Sequence, residues 1–447
     1  MNHKTVVAGV VGVGLGLSVA WTAVSAERVT LDRCLAAAWD GNPDVRSATA
    51  RLEAARAAVS EASSAYFPQV GLAGTWTRTD NPPQAFFMSL NQRRASLQKD
   101  FNNPDDIENA RGSVIAQWRL YDSGRRGADR RAAQQGAQAA GYSLETVRNE
   151  LVFEISKAYY GLLQSREFVG VRDEAVRSLE EHLRLAGERV KAGSALKTDV
   201  LNLEVQYSQA REDLIRAKNA IRLARAALNA AIGSDLVKES DLHDLSDSGG
   251  QPVKTDPASP ESRPEWRAVQ AQVAAAEAMT QRARREYLPA VNAFGSLDWD
   301  SEPFRTPERS YLVGAAVEWN IFDGFRNRAG LTRASAGLVA AQAEADKLRI
   351  LLALDLTRSH LNEQESRERL EVASRSLTAA EEALRITRDR YQQGAAEVTE
   401  LMTAQVGVTA TKARQTAARY DNLIALADKA RAAGRAAEGI RNSGTGR

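Results

Sequence analysis

The chain contains an internal duplication, and this feature constrains its fold more than any other. An Ala-rich segment that ends in Tyr-Phe-Pro at residues 66–68 recurs as one that ends in Tyr-Leu-Pro at residues 287–289, 221 positions later. Further along, residues 117–122 recur at residues 318–323, 201 positions later. Each half is therefore expected to fold into the same series of helices and strands.

The duplication also predicts how the chain is organised. The change of offset from 221 to 201 places 20 extra residues in the first half, within residues 80–111, where Asn-Pro pairs predict a long surface loop. Between the halves, Gly-Gly and several prolines predict an irregular linker. The expected parts are a signal peptide (1–26), a first structural repeat (27–232), a linker (233–262), a second repeat (263–433) and a flexible tail (434–447).

The first 26 residues are typical of a secretory signal peptide. Lys4 supplies a positive charge, residues 6–20 form an apolar run, and residues 24–26 (Val-Ser-Ala) resemble a cleavage site. The alternative is an uncleaved N-terminal anchor helix, for which the run is short and Gly-rich. Cys34 is the only cysteine, so it cannot form an internal disulfide, and we expect it to be a buried helix residue.

Four segments alternate apolar and polar residues with the period of two that indicates β-strands. The apolar positions are Val70, Leu72 and Trp76; Val114, Ala116, Trp118 and Leu120; Val291, Leu297 and Trp299; and Val313, Ala315, Val317, Trp319 and Ile321. A strand of about ten residues with a Trp near one end fits a tilted membrane strand. The candidate residues for an interfacial aromatic girdle are Trp76, Trp118, Trp299 and Trp319.

The strands leave two interpretations open. A soluble sandwich alternates in the same way, so the pattern alone does not require a membrane. Beyond the signal, no apolar run is long enough for a transmembrane helix, so a membrane span would have to consist of strands. Four strands cannot close a barrel, and an open sheet edge is not tolerated in lipid. In a membrane, several copies of the chain would therefore share one barrel.

Long segments with a seven-residue apolar repeat follow the strands. The repeats are Ile155, Leu162, Val169, Val176 and Leu183; Val200, Tyr207, Leu214, Ile221 and Leu228; and Leu356, Leu370, Leu377 and Leu384, which Glu363 interrupts. This spacing predicts coiled-coil packing. A helix over residues 123–191 would be about 100 Å long at 1.5 Å per residue, far beyond a globular domain. A rod-like dimeric coiled coil would explain the heptads but not the Trp-bearing strands.

A strand pair followed by a long helical hairpin occurs twice in the chain. In this order, these features resemble the TolC-type outer-membrane efflux family over roughly residues 29–433. The shared landmarks are the Tyr-x-Pro entry to a strand, with Pro68 and Pro289 at the helix-strand junctions, and an aromatic-Asp pair before each long helix at residues 121–122 and 322–323. The third is a glycine turn between each long helix and its return helix, at Gly193 and Gly394.

The resemblance implies a mixed α and β fold. Four strands per chain would contribute to a shared, trimeric, twelve-stranded outer-membrane β-barrel, and long helical hairpins would form a periplasmic α-barrel. The implied function is a passive exit duct of a tripartite efflux or type I secretion system. Its expected partners are two further copies of the chain, outer-membrane lipid, a periplasmic adaptor protein and an inner-membrane pump. The alternative is a periplasmic coiled-coil scaffold or adaptor without a membrane barrel.

The resemblance also gives the hairpin tips a role, because in this family they narrow the tunnel and hold the resting channel closed. The positions that match the family's gate and aperture are Thr198, Asp199, Tyr391 and Glu400, and the tips at Gly193 and Gly394 match the adaptor contact. Glu400 is expected to form a ring that prefers cations. The alternative is that Asp199 and Glu400 act only at helix starts, because each follows a threonine that can cap a helix and an acid favours the positive end of the helix.

Two tip residues depart from the family's gate. Ala396 stands where the family's best-known member has an arginine of the closing network, and Thr403 stands where it has a second aperture acid. The gate is therefore expected to be held differently in this chain.

Charge and histidine content argue against other classes of function. Lys plus Arg is 59 and Asp plus Glu is 57, so no basic surplus is available for nucleic acid. The four histidines are His3, His182, His243 and His360. They are scattered without metal-ligand spacing, so we expect no metal, no cofactor and no enzyme activity. His182 and His360 are expected to be exposed helix residues.

Overall fold

A computed structural model describes residues 29–238 and 259–435, apart from residues 97, 99, 101, 194 and 195. The predicted signal peptide, most of the predicted linker and residues 436–447 of the predicted tail lie outside the described residues. The fold class is confirmed, since long α-helices accompany four β-strands.

Both halves share the order helix, strand, strand, very long helix, return helix, and the first half also contains α3 between its two strands. The first half has α1 (Leu31–Gly41), α2 (Pro43–Ser64), β1 (Gln69–Thr79), α3 (Pro82–Asn91), β2 (Ile107–Tyr121), α4 (Arg125–Lys191) and α5 (Lys197–Ile232). The second has a 3₁₀ turn (Pro260–Ser262), α6 (Pro264–Arg285), β3 (Ala290–Ser301), β4 (Glu308–Glu318), α7 (Arg326–Gln392) and α8 (Val398–Ala432). Both long helices have 67 residues, and α2 and α6 both have 22.

The prediction of a surface loop over residues 80–111 was wrong, because this segment contains α3 and the start of β2. Asn81 begins α3: its side-chain oxygen accepts a hydrogen bond from the backbone N–H of Gln84 at 3.3 Å. Pro82 and Pro83 occupy the first turn, where a helix does not use backbone N–H groups. The Asn-Pro-Pro sequence therefore starts a helix here rather than a turn.

The four strands form one antiparallel sheet in the order β1-β2-β3-β4. The halves meet at the central pair, where β2 and β3 run side by side from Ala110 and Ser301 to Tyr121 and Val291. Within the described chain, β1 and β4 each have a neighbour on one side only. We call the end of the sheet that joins the helices proximal and the opposite end distal.

At the proximal end, each strand pair is bonded to the helix before it. The indole N–H of Trp118 donates to the carbonyl of Tyr66, and that of Trp319 donates to the carbonyl of Tyr287, both at 3.0 Å. β4 ends at Glu318, so the prediction that Trp319 and Ile321 continue its apolar face was wrong. Glu318 pairs with Ala290, the first residue of β3. The residue before Ala290 is Pro289, which has no N–H group to continue the ladder.

The aspartates of the aromatic-Asp pairs start the long helices. Asp122 is buried, and its carboxylate accepts from the backbone N–H groups of Gly124 (3.0 Å) and Arg126 (2.8 Å). In the second half, Asp323 accepts from the backbone N–H of Asn327 at 2.9 Å. Such carboxylates satisfy the unpaired donors of a helix start and complement its positive end.

The main hydrophobic core surrounds the middle of α4. Ile155, Tyr159 and Leu162 are fully buried there against α1, α2, α5 and α8. The Tyr159 hydroxyl donates to the carbonyl of Val29 at 3.1 Å. Cys34 of α1 is buried in this core as predicted, and burial raises the pKa of its thiol to about 11. Among the described residues, every helix is too polar or too short to cross a membrane.

The tryptophan contacts at the proximal end generate a test. Trp118→Phe keeps the aromatic ring but removes the donor to Tyr66, and we expect a loss of about 0.5 kcal/mol, the low end for a neutral hydrogen bond because this one is exposed. The measurement is the unfolding midpoint followed by helical circular dichroism. Trp76→Phe is the matched control, since the Trp76 indole has no hydrogen-bond partner among the described residues. Equal shifts in the two variants would contradict the role of the bond.

Candidate functional site: the sheet faces and the hairpin tips

One face of the sheet is apolar on all four strands. The register places Leu72 opposite Val114, Val114 opposite Leu297, and Leu297 opposite Tyr311. Other apolar members of this face include Val70, Trp76, Ala116, Trp118, Val291, Trp299, Val313, Ala315 and Val317. Many are largely exposed in the single chain, up to 84% for Leu72 and 76% for Val313. Such a continuous exposed apolar surface indicates a membrane or protein contact.

The opposite face carries a polar cluster near its distal end. The buried carboxylate of Asp300 accepts from the Asn109 amide at 2.6 Å and from Arg111 Nε at 2.8 Å. One step towards the helices, Asp298 accepts from the Ser113 hydroxyl at 2.5 Å. These side chains lie across the β2–β3 pair, so they also join the two halves of the chain.

The four predicted girdle tryptophans lie at two levels of the sheet. Trp76 and Trp299 are near the distal end, opposite Ala110 and Gly112 of β2. Trp118 and Trp319 lie at the proximal end, where they bond to the helix junctions. The six residue-to-residue steps from Gly112 to Trp118 span about 20 Å along the strand. The assignment of these four tryptophans to an interfacial girdle stays a prediction.

The hairpin tips contain the two predicted glycines. Gly193 has φ +72° and Gly394 has φ +76°, a left-handed conformation that glycine adopts without steric cost and that ends a helix. Gly394 donates its backbone N–H to the carbonyl of Tyr391 at 3.1 Å. Both long helices therefore stop at equivalent positions of the duplication.

The acids after the tips begin the return helices. Asp199 accepts from the backbone N–H of Leu196 at 3.2 Å, and Glu400 accepts from that of Glu397 at 3.4 Å. Neither preceding threonine caps its helix, because both lie inside the first turn: Thr198 is the second residue of α5, and Thr399 is the second of α8. Helix-start chemistry therefore accounts for the backbone contacts of both acids.

Tyr391 is buried in a separate hydrophobic cluster at the tip. Its neighbours in this cluster are Leu179 and Ala186 of α4, Leu203 of α5, and Val398 and Leu401 of α8. Arg189 stacks on its ring, 4.3 Å from the centroid, and donates to its carbonyl at 2.8 Å. Arg189 therefore joins the first hairpin to the second at the tip.

Arg189 and Arg390 were missed as tip residues by sequence reasoning. They are equivalent in the duplication, 201 positions apart. This equivalence was the sequence signal that could have identified both as tip residues. Arg390 differs in its contacts: its guanidinium lies 3.4 Å from the Glu400 carboxylate and donates to the carbonyl of Ala395 at 3.0 Å. Ala396 packs against the tip cluster, and the Thr403 hydroxyl bonds back to the carbonyl of Thr399.

His182 lies between the two hairpins, and the prediction that it is exposed was wrong. It is 3% exposed in α4 and contacts Ser178, whose hydroxyl donates to Gln405 of α8 at 2.8 Å. Its Nδ1 atom is buried without a partner among the described residues. Burial lowers the pKa of His182, and nearby Arg388 lowers it further, against the opposing charge of Glu181. His360 is exposed as predicted.

Comparison with known proteins identifies the family. The family model described as outer membrane efflux protein matches residues 35–234 and 259–435, which is most of the chain. The chain belongs to this family. Outer membrane efflux proteins are channels, so the chain is an outer membrane protein of an efflux or secretion system.

Individual relatives agree with this assignment. Protein CyaE of Bordetella pertussis is 26% identical over 81% of this chain and 75% of its own length. Outer membrane protein OprJ of Pseudomonas aeruginosa is also 26% identical, with the same coverage. The crystal structure of outer membrane protein VceC from Vibrio cholerae shares the fold, with a TM-score of 0.76, 18% identity, and coverage of 90% of this chain and 96% of VceC.

The buried histidine of this efflux protein generates a test of the contact between its hairpins. The fold lowers the pKa of His182 below its ordinary value of 6.5, so the unfolded chain binds a proton more readily than the folded protein does. Acid therefore favours the unfolded state. We expect the native protein to lose stability as the pH falls below this value and His182→Gln to lose less. The measurement is the thermal midpoint at about pH 7.5 and about pH 5.5.

The matched control is His360→Gln, which changes an exposed histidine of α7. It should retain the full acid sensitivity of the unmodified protein. If His182→Gln and His360→Gln show the same shift between the two pH values, the acid sensitivity does not arise from the buried site.

Proposed function

We propose that the chain is a passive exit duct that works as a homotrimer with a periplasmic adaptor protein and an inner-membrane pump. The observation that supports this most directly is the sheet, which is apolar on one face along all four strands and, within the described residues, has an unpaired edge on both sides. In lipid, every backbone donor and acceptor has to be paired, so both edges need a partner strand.

Copies of the same chain can supply that strand. Because the strands alternate in direction, β4 of one copy runs antiparallel to β1 of the next. This head-to-tail contact forms a ring when the rotation closes. Two copies would make an eight-stranded barrel, whose interior is about filled by side chains and conducts little. Three copies make twelve strands with an open lumen, which the polar face of each sheet would line.

The relatives and the family model support efflux through the outer membrane as the kind of transport. CyaE and OprJ span most of this chain at 26% identity, and the family model describes efflux. The long hairpins α4–α5 and α7–α8 then extend the duct from the sheet into the periplasm. At their ends, Gly193 and Gly394 lie at exposed turns, where an adaptor protein can dock.

The same tips form the proposed gate. Tyr391 and Arg189 hold the two hairpins of one chain together, while Thr198, Asp199 and Glu400 lie at the first turns of the return helices. Asp199 is partly exposed, and the Glu400 side chain is 47% exposed. Three copies of Glu400 around a narrow aperture would attract cations and repel anions.

Assembly is tested by native mass spectrometry of detergent-extracted outer membranes. We expect three copies of the chain, and a band on SDS gels that shifts only after heating. Val313→Arg, on the apolar face, should abolish this species because an arginine facing lipid costs about 2–4 kcal/mol per copy at the midplane.

Leu312→Arg is the matched control for this experiment. Leu312 is the adjacent residue of β4, is also apolar and exposed, and pairs with Ser296 on the polar face. Its arginine would face the lumen and should leave the trimer intact. A soluble monomer or dimer in the periplasm would contradict the duct and support a coiled-coil scaffold instead.

Ion selectivity tests the gate. Glu400→Gln removes the charge but keeps a side-chain oxygen for the helix start, and we expect the preference for cations over anions in planar bilayers to fall severalfold. Arg390→Gln should raise the same preference, because it removes the positive charge 3.4 Å from Glu400. Unchanged selectivity in both variants would eliminate Glu400 as an aperture residue.

A further inference from the structure

Helix α3 packs on the polar face of the sheet, at its distal end. Its contact side is made of small and polar residues: Ala85 and Ser89 are buried, and buried Gln92 follows one turn later. The Gln92 amide donates to the carbonyl of Glu108 at 2.7 Å and to the Asn109 side chain at 3.0 Å. Asn109 in turn binds Asp300, so the helix is fixed to the polar cluster of β2 and β3.

The chain after α3 continues across this face towards β4. Arg93 Nε lies 3.3 Å from the Glu308 carboxylate, and its guanidinium donates to the carbonyl of Arg309 at 3.4 Å. Arg94 forms an ion pair with Glu302, beyond the end of β3. Arg93 has φ +53°, which is unfavourable for a residue with a side chain, and these contacts hold it there. The segment is therefore tied to β2, to β4 and to the connection that follows β3.

The outward side of α3 is apolar. Phe87 is 62% exposed and Leu90 is 45% exposed, three residues apart on the side away from Ala85 and Ser89. The Phe86 ring lies against Phe87, edge to face, at 5.7 Å. Trp76 and Trp299 occupy the opposite face of the sheet at the same distal level. If those tryptophans face lipid, Phe87 and Leu90 point away from the barrel wall into the lumen.

We propose that α3 is an outer gate, in which the helices of three copies of this chain meet at the barrel axis and close the distal mouth. The proposal rests on the trimeric duct proposed above. It adds a second closure, at the end opposite to the periplasmic tips, made by residues of the segment that only the first half of the duplication contains.

The dimensions of the barrel favour this arrangement. Twelve strands about 4.8 Å apart and tilted by about 40° give a wall-to-wall diameter of about 24 Å. A helix with its side chains is about 10 Å wide, and three of them side by side need a circle of about 22 Å. Three copies of α3 on the wall therefore leave almost no open cross-section. Phe87 and Leu90 from each copy can then cover one another, and an apolar constriction of this kind excludes water.

The test measures access to the lumen from outside the cell. Gln117→Cys places a thiol on the polar face of β2, eight residues proximal to Asn109 and about 27 Å further along the strand. The native thiol of Cys34 is fully buried, so the unmodified protein supplies the background. Intact cells receive a bulky maleimide that cannot cross the outer membrane, and the rate of labelling is followed.

We expect slow labelling with α3 intact and labelling at least about tenfold faster when Phe87→Ser and Leu90→Ser are combined, because polar side chains rehydrate the constriction. Replacement of residues 82–91 by a Gly-Ser linker should give an even faster rate. Phe304→Ser is the matched control, since Phe304 is a fully exposed aromatic residue in the other distal connection. It should leave the rate unchanged.

Native mass spectrometry on the same preparations separates the two proposals. Absence of a trimer in the Gln117→Cys protein overturns the shared duct itself. A trimer that is labelled as fast with α3 intact as without it overturns the outer gate alone. A trimer that stays unlabelled after α3 is replaced shows that another element closes the mouth, and it overturns the gate as well.

Discussion

The unpaired edges of the sheet are the constraint on which the rest of the structure depends. β1 and β4 each leave one row of backbone groups without a partner in the described chain, while their side chains present a continuous apolar face. In water such an edge aggregates, and in lipid its unpaired groups are too costly. Completion of the sheet by further copies of the chain, as in the proposed trimer, would satisfy the backbone groups and cover the apolar face at once.

The helices follow from how the sheet ends. At the proximal side, Trp118 and Trp319 bond to the preceding helix ends, and Asp122 and Asp323 start α4 and α7. Strand and helix are thus joined by specific hydrogen bonds rather than by flexible loops, so the orientation of the sheet is passed on to helices of 67 residues. At the far end, Tyr391 and Arg189 connect the hairpins. The sheet and the long helical hairpins of one chain are therefore continuous with each other.

The local features of the hairpin tips were predictable from the sequence, and their long-range contacts were not. The glycines of the tips and the acids of the return helices lie at the predicted turns, because a glycine with positive φ and an acid at a helix start are local requirements. The roles of Arg189 and His182 were not predictable in this way. Both depend on residues more than 200 positions distant, Tyr391 and Gln405, which no local pattern reveals.

The sequence by itself determined the duplication, the four strands with one apolar face, the extents of the long helices and the membership of an outer membrane efflux family. The helices and strands arise from periodicity and from local backbone chemistry, whereas the family was indicated by its resemblance in the repeated order of these elements. Only the tertiary structure decided that α3 lies on the polar face, that His182 is buried and that β4 stops before Trp319. These outcomes depend on which groups meet across the sheet and between the hairpins. Burial and pairing with partners distant in sequence override the local preferences of a segment.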